Sequence, residues 1–135
     1  MGVCVATSGP VATNLITGRA TAYADSIPLV CITGQVESKL LGYDTFQEAD
    51  ITGAVESFVK YSYLVRDARD IPRIMKEAFH IASTGRKGPV LIDVPSDIQN
   101  EPIQKFEYPD DVNLRHYKPT VKGNAVQIKK VVSEL

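Results

Sequence analysis

The sequence predicts an α/β fold built on a parallel sheet, and three observations carry that prediction. Apolar runs rich in β-branched residues recur at Val3–Thr7, Leu29–Thr33, Val59–Val65 and Val90–Val94, each of strand length. Segments of helical periodicity separate them, and alternation of this kind implies parallel strands covered by helices. The 135 residues are 44% hydrophobic and 23% charged, sufficient for one core.

The first run ends in the turn Ser8-Gly9-Pro10 and passes directly into Val11-Ala12-Thr13-Asn14, which reads as strand, tight turn, helix start. In a parallel sheet this junction lies at the carboxyl edge, where ligands bind and backbone N–H groups of the helix point outward. Its glycines do not make G-x-G-x-x-G, and G-x-x-x-x-G-K-[ST] is absent from the chain, so neither the dinucleotide fingerprint nor the phosphate loop is satisfied. The clearest helix spans Ala68–Ser83, where Ile71, Ile74, Met75, Ala78, Phe79 and Ala82 repeat at three- and four-residue steps. Asp70 with Pro72 marks its start, and Gly85 fits its C-terminal cap. From Gln99 to Lys122, Pro102, Pro109 and Pro119 stand among charged residues with no sustained period, predicting an extended linker. Asn124–Leu135 then regains an amphipathic pattern through Ala125, Ile128, Val131 and Val132.

Net charge is −1 with no basic cluster, which argues against nucleic acid or an anionic membrane surface as partner. No apolar run approaches the about 20 residues that cross a bilayer. Cys4 and Cys31 lie in apolar runs without Cys-x-x-Cys spacing or a signal peptide ahead of them. They are expected to be buried, reduced thiols in a cytoplasmic protein. His80 and His116 are far apart and lack ligand-like neighbours, so no metal site is expected. Glu48 and Asp50, at i and i+2, point to different sides of a helix and read as structural or solvated.

A series of short segments follows the Thr7-Ser8-Gly9-Pro10 turn in fixed order. It comprises Thr17-Gly18-Arg19, Tyr23-Ala24-Asp25-Ser26-Ile27-Pro28-Leu29-Val30, Ile32-Thr33-Gly34-Gln35-Val36, Phe46-Gln47-Glu48-Ala49-Asp50 and Gly85-Arg86-Lys87-Gly88-Pro89-Val90-Leu91-Ile92-Asp93-Val94-Pro95. From Gly2 to about Asp97 the order and spacing closely resemble acetohydroxyacid synthase, also called acetolactate synthase, of the thiamine diphosphate enzyme family. The resemblance implies the thiamine diphosphate-binding fold. Residues 1–98 would be the C-terminal portion of its pyrimidine-binding domain without the first strand–helix units, 99–122 a linker, and 123–135 the start of the central, flavin-associated domain.

The resemblance also implies roles. Thiamine diphosphate catalysis relies on the cofactor's own imino group to deprotonate its thiazolium carbon, with a protein carboxylate tuning the pyrimidine ring. In the family that glutamate belongs to an earlier unit than any matched here, and the diphosphate and magnesium motif to a later domain. This chain would supply the floor of the pyrimidine pocket from Ser8, Gly9, Pro10 and Asn14. Phe46 and Gln47 match the mouth of the active site, the ring lining the channel and the amide bonding a pyruvate-derived oxygen. Arg86 matches a position that contacts FAD, and its fixed donor fork suits a polar cofactor edge. Thiamine diphosphate, Mg2+ and FAD are thus implied for the intact enzyme, none bound completely by this chain, together with a homo-oligomer of at least two copies.

Departures accompany the match. Val11 stands where the family turn has a second glycine, and a β-branched residue at positive φ would be strained. Glu37 replaces the usual proline, Arg19 falls in a usually apolar stretch, Thr45 replaces an alanine, and Ser96 stands where many members carry a lysine. The expected function is a portion of an acetolactate synthase condensing pyruvate with a second 2-oxoacid in branched-chain amino acid biosynthesis, inactive as the isolated chain. The alternatives are another thiamine diphosphate carboligase or decarboxylase, and a non-catalytic segment that self-associates through an exposed strand edge.

Overall fold

Strand β4 (Pro89–Pro95) is buried along its whole length, which explains its nearly continuous apolar spelling. A central strand with helices on both faces has no solvent side. In the computed structural model, which describes residues 1–135, β4 lies between β2 (Leu29–Gln35) and β3 (Tyr61–Leu64). β1 (Gly2–Ala6) pairs with the other side of β2, giving one four-stranded parallel sheet of order β1-β2-β4-β3. The register aligns Val3, Val30, Val90 and Tyr61 in one row and Cys4, Cys31, Leu91 and Ser62 in the next.

Because side chains alternate faces, these two rows feed two separate cores. Val30, Val90, Ile92 and Val94 pack with Ile74, Ala78, Ile81 and Ala82 of α3 (Ile71–Ser83). On the opposite face Cys31 and Leu91 pack with Ala12 of α1 (Pro10–Ala24), Ile51 of α2 (Ile51–Ala54), Val55 and Val59. The order of pieces is the parallel α/β arrangement that alternation implies.

Details differ from the sequence expectation for local reasons. The helix expected from Ala68 is split: a 3-10 turn covers Ala68–Asp70 and α3 begins at Ile71. Asp67 caps the 3-10 turn, its Oδ1 accepting the Arg69 N–H at 2.8 Å, while Asp70 is the N-cap residue of α3 with Pro72 in the first turn, as expected, although its side chain makes no cap bond. Gly85 does take positive φ, 56°, just past the helix end. The strand expected over Val59–Val65 is regular only from Tyr61 to Leu64, although Lys60 N–H to Pro89 O and Val65 N–H to Asp93 O extend its ladder. Cys31 is buried as expected, but Cys4 is half-buried, and both are free thiols.

Past β4 a short helix, α4 (Ser96–Asn100), turns the chain away from the sheet, and no helix or strand follows until α5 (Ala125–Glu134). The intervening stretch is held by Ile103, Leu114 and Tyr117 against the α3-side core. Its firmest anchor is Lys60, whose ammonium donates to Ile81 O, to Thr84 O at 2.7 Å and to the Tyr117 hydroxyl at 2.8 Å. Two of those acceptors are carbonyls at the α3 C-terminus, where the helix dipole favours a cation. The Tyr117 hydroxyl in turn donates to Thr84 O at 2.9 Å. By contrast α5 buries nothing: Asn124 caps it, and Val126, Ile128, Val131 and Val132 all face solvent.

Charge-assisted hydrogen bonds of this kind contribute about 1.5–3 kcal/mol each. Lys60→Met is therefore expected to lower unfolding free energy by about 2 kcal/mol and to open residues 101–123 to protease. Urea titration together with mass-mapped limited proteolysis checks both effects. Unchanged cleavage in that stretch would mean that Ile103 and Leu114 hold it without Lys60.

Candidate functional site

The turn after β1 sets the first boundary of a site. Gly9 adopts φ 60° and ψ −127°, and Pro10 follows as the first residue of α1, where its missing N–H costs no helical bond. A Cβ on Gly9 would lie 2.7 Å from the Gln47 carbonyl oxygen and 3.0 Å from Gln47 Cα. Only glycine meets both demands, positive φ and close approach of a second backbone. Val11 does not take the positive φ expected of it: it sits inside α1 with its side chain exposed. The conformational demand falls on Gly9 alone, so a β-branched residue at position 11 is unstrained.

The segment that meets Gly9 carries its own strain. Gln47 and Asp44 both have positive φ, 61° and 52°, a conformation that costs a non-glycine residue of order 1 kcal/mol. Glu48 holds this loop closed, its carboxylate accepting the backbone N–H groups of Gly42 and of Thr45, the latter at 3.0 Å, and the Thr45 hydroxyl at 3.3 Å. These donors, Gly42 first, hold Glu48 below the usual carboxylate range. Asp50 caps α2 through Gly53 N–H at 2.9 Å and accepts the Thr52 hydroxyl at 2.9 Å. Both carboxylates thus shape backbone, and Phe46, 89% exposed, is presented to solvent beside them.

A buried polar cluster fastens the loop to the sheet. Asp93 of β4 is 1% exposed and accepts the Thr33 hydroxyl at 2.6 Å and the Gln35 amide at 3.1 Å. The same Gln35 nitrogen donates to Ala49 O at 2.8 Å, and Gln35 Oε1 accepts the Val36 N–H at 2.9 Å. Burial pushes Asp93 up to about 6, against the opposing pull of the Thr33 and Gln35 hydrogen bonds and of Arg19. Asp97, one turn beyond β4, accepts the Ser38 N–H at 3.0 Å and its hydroxyl at 3.1 Å.

Beside these anchors an open cavity of about 490 Å³ lies at the carboxyl edge, lined by β1, β2, the Ser8 turn and the start of α4. Its walls are Val5, Ile32 and Val94, and its polar rim is Thr7, Ser8, Gln35, Ser96 and Gln99. The volume and the mixture suit a flat heteroaromatic group held by a few hydrogen bonds. No group of three or more His, Cys, Asp or Glu side chains is placed to hold a metal ion.

The residues singled out from sequence do not all converge here. Ser8, Gly9 and Pro10 form the turn and Gln47 abuts it. Asn14 is exposed on the first turns of α1, outside the cavity lining. Arg86 precedes β4 and so belongs to the opposite, amino edge of the sheet. Its guanidinium donates to Ser26 Oγ at 2.9 Å, Tyr23 O at 3.1 Å and Ala24 O at 3.3 Å, locking the end of α1, and lies over the Tyr23 ring. Thr33, Gln35 and Asp93 were not singled out. The signal available was their polarity: a strand written Ile92-Asp93-Val94 places a carboxylate among apolar neighbours, which demands donors on the adjoining strand.

The Asp93 environment has a measurable consequence. Its folded value lies above the ordinary 3.8, so between about pH 4 and 6 the folded chain binds more protons at this site than the unfolded chain. The contribution of Asp93 to stability is therefore greatest below pH 4 and declines by roughly 3 kcal/mol as pH rises through 6. Asp93→Asn removes that titration, and urea unfolding at pH 4, 5, 6 and 7 should show a flatter stability profile for the variant than for the parent. Parallel profiles would place the Asp93 carboxyl at its ordinary value.

Comparison with known proteins agrees with this geometry. Residues 1–54 match the family model for the thiamine pyrophosphate enzyme, N-terminal TPP binding domain. The chain is 53% identical over 135 residues to the acetolactate synthase large subunit of Buchnera aphidicola, covering 99% of this chain and 24% of that protein. It is 52% identical over 136 residues to the Haemophilus influenzae large subunit and 51% identical over 137 residues to the isozyme 3 large subunit of Escherichia coli, in each case over 100% of this chain and 24% of the relative. The chain thus spans about a quarter of the length of the relatives it matches. A Gly-Pro strand-to-helix turn and an adjoining strained loop thus lie in a chain whose first 54 residues match the thiamine pyrophosphate enzyme N-terminal domain and which is about half identical, along nearly every residue, to acetolactate synthase large subunits.

Proposed function

We propose that this chain serves as the pyrimidine-side segment of a thiamine diphosphate-dependent acetolactate synthase, which condenses pyruvate with a second 2-oxoacid. The observation that carries the reading is the contact of the Gln47 backbone with Gly9, because it seats the Phe46-Gln47 segment on the turn that edges the cavity. The apolar walls and hydroxyl and amide rim of that cavity fit an aminopyrimidine ring. Ser8 lines the cavity, and Gly9 and Pro10 hold the turn that presents Ser8. When bound, thiamine diphosphate supplies an electron sink for the decarboxylated 2-oxoacid.

The chain's own residues have subsidiary tasks. Gln47 is held in one conformation and offers its amide to a substrate carboxylate or carbonyl oxygen. Phe46 excludes water from the channel mouth, and Asn14 reaches the cofactor from the exposed side of α1. Mg2+ and FAD belong to the intact enzyme. Arg86 is offered to the flavin through its remaining free nitrogen, since Nε and Nη2 are committed to α1. The intact protein is a homo-oligomer. Its support here is the end strand β1, whose Val3 and Val5 are 52% and 75% exposed.

The reading is tested by replacing the matching segment of the Escherichia coli isozyme 3 large subunit with these 135 residues. With pyruvate, thiamine diphosphate, Mg2+ and FAD the folded chimera should form acetolactate, and the isolated chain should form none. Gln47→Ala in the chimera should lower kcat/KM about 10–100-fold with unchanged melting temperature. A folded chimera without acetolactate overturns the assignment. For the oligomer, light scattering of the isolated chain at micromolar concentration should give a dimer or larger species, and a monomer refutes a role for the β1 edge in self-association.

A further inference from the structure

Arg19 is an anomaly that the proposed activity does not use. Its side chain is 1% exposed on the inner face of α1, and of its nitrogens Nη2 donates to Ala12 O at 2.9 Å and Nε weakly to Leu15 O at 3.4 Å. Nη1 has no partner at all. A buried cation with an unsatisfied donor is costly unless something anionic can form beside it. No carboxylate makes an ion pair with it: all five salt bridges of the chain involve other residues.

Two thiols lie within electrostatic reach of it. Cys4 and Cys31 are register partners on the adjacent parallel strands β1 and β2, facing α1, and their side chains pack together in the core cluster beneath that helix. Neighbouring strands run about 4.8 Å apart, inside the Cα window of about 4.4–6.8 Å that a disulfide spans. Access differs between the two, since Cys4 is half-buried and Cys31 fully buried. Burial pushes Cys31 up to about 11, and Arg19 opposes that push.

We propose that Cys4 and Cys31 form a thiol pair oxidised by peroxide to an intrachain disulfide, with Arg19 as the charge that stabilises the reacting thiolates. Cys4, the accessible member, attacks the peroxide oxygen and becomes a sulfenic acid as the O–O bond breaks and water leaves. Cys31, its developing negative charge stabilised by the field of the Arg19 guanidinium, attacks the Cys4 sulfur. The S–O bond breaks and a second water departs. Two thiols and one hydrogen peroxide give one disulfide and two waters. In-register side chains on parallel strands stand farther apart at Cβ than an unstrained disulfide prefers, so the bridge is readily reduced by a dithiol.

The test uses the purified, reduced and desalted chain with equimolar hydrogen peroxide. Intact mass should fall by about 2 Da, both cysteines should resist alkylation after denaturation, and dithiothreitol should restore both. Cys31→Ser should instead gain a single oxygen at Cys4, and Cys4→Ser should leave Cys31 unmodified at the same dose. Arg19→Met, with its fold verified by circular dichroism, should close the bridge about tenfold more slowly, the rate effect of roughly one pKa unit at the reacting sulfur. Two alkylatable thiols after peroxide, or a dimer linked through Cys4 as the sole product, overturns the proposal. Closure by Arg19→Met at the parent's rate refutes the part given to Arg19.

Discussion

The carboxylate of Asp93 is the constraint on which the carboxyl edge of this sheet depends. A carboxylate with 1% of its surface exposed must receive hydrogen bonds from its neighbours or cost several kcal/mol. Thr33 and Gln35, on the strand paired with it, are the donors that requirement selects. Gln35 is then fixed in orientation, and its amide also fastens Ala49, the middle of the segment that follows Phe46 and Gln47. A buried charge in the central strand thereby sets the position of an exposed loop that crosses the edge of the sheet.

That loop meets the β1–α1 turn at a point where both backbones are unusual. Gly9 has a φ of 60° and Gln47 one of 61°, and no Cβ fits between them. Strain in a non-glycine residue persists only where the surroundings over-determine it. Here they do so twice, through the Glu48 carboxylate that closes the loop and through the Gln35 amide that anchors it. The consequence is that the Gln47 backbone is fixed against the turn that edges the cavity rather than belonging to a slack loop. The amino edge is organised differently. There Arg86 and Lys60 each satisfy carbonyls at a helix C-terminus, of α1 and α3 respectively, and both are spent on architecture.

How much of this the sequence disclosed follows from the range of the forces involved. The alternation of elements and the two faces of β4 are local periodicities, so Leu29–Thr33, Val90–Val94 and the body of α3 could be read directly. The separate 3-10 turn that Asp67 caps ahead of α3 could not, because three residues are too few to show a period. The Gly9 turn was legible as a strand-to-helix junction, but its closest contact is 38 residues away in sequence and no periodicity encodes it. Glu48 and Asp50 could be set aside as a catalytic pair from spacing alone, yet their actual hydrogen bonds, to Gly42 and Gly53, needed the loop geometry. Arg86 was picked out by its sequence segment, but only the topology places it at the opposite end of the sheet from Gly9.

The two ends of the sheet are covered unequally, and this bears on how the segment must be used. In the row Val5, Ile32, Ile92, Tyr63 the residues of β2, β4 and β3 lie under α3, where Tyr63 also donates to Glu77 at 2.9 Å. Val5 in the same row is 75% exposed, and Val3 two rows away on the same face is 52% exposed while its partners Val30 and Val90 are fully buried. The helix is too far across the sheet to reach β1. Strand β1 nevertheless carries the spelling of a buried strand, Val3-Cys4-Val5, and leads into the turn that forms the candidate site. Burying two valines is worth about 3–6 kcal/mol, comparable with a large share of the net stability of a domain this size. A partner surface that covers β1 would therefore stabilise the strand and the Gly9 turn together, and coupling between association and the site is the expected result of building the site on the uncovered end.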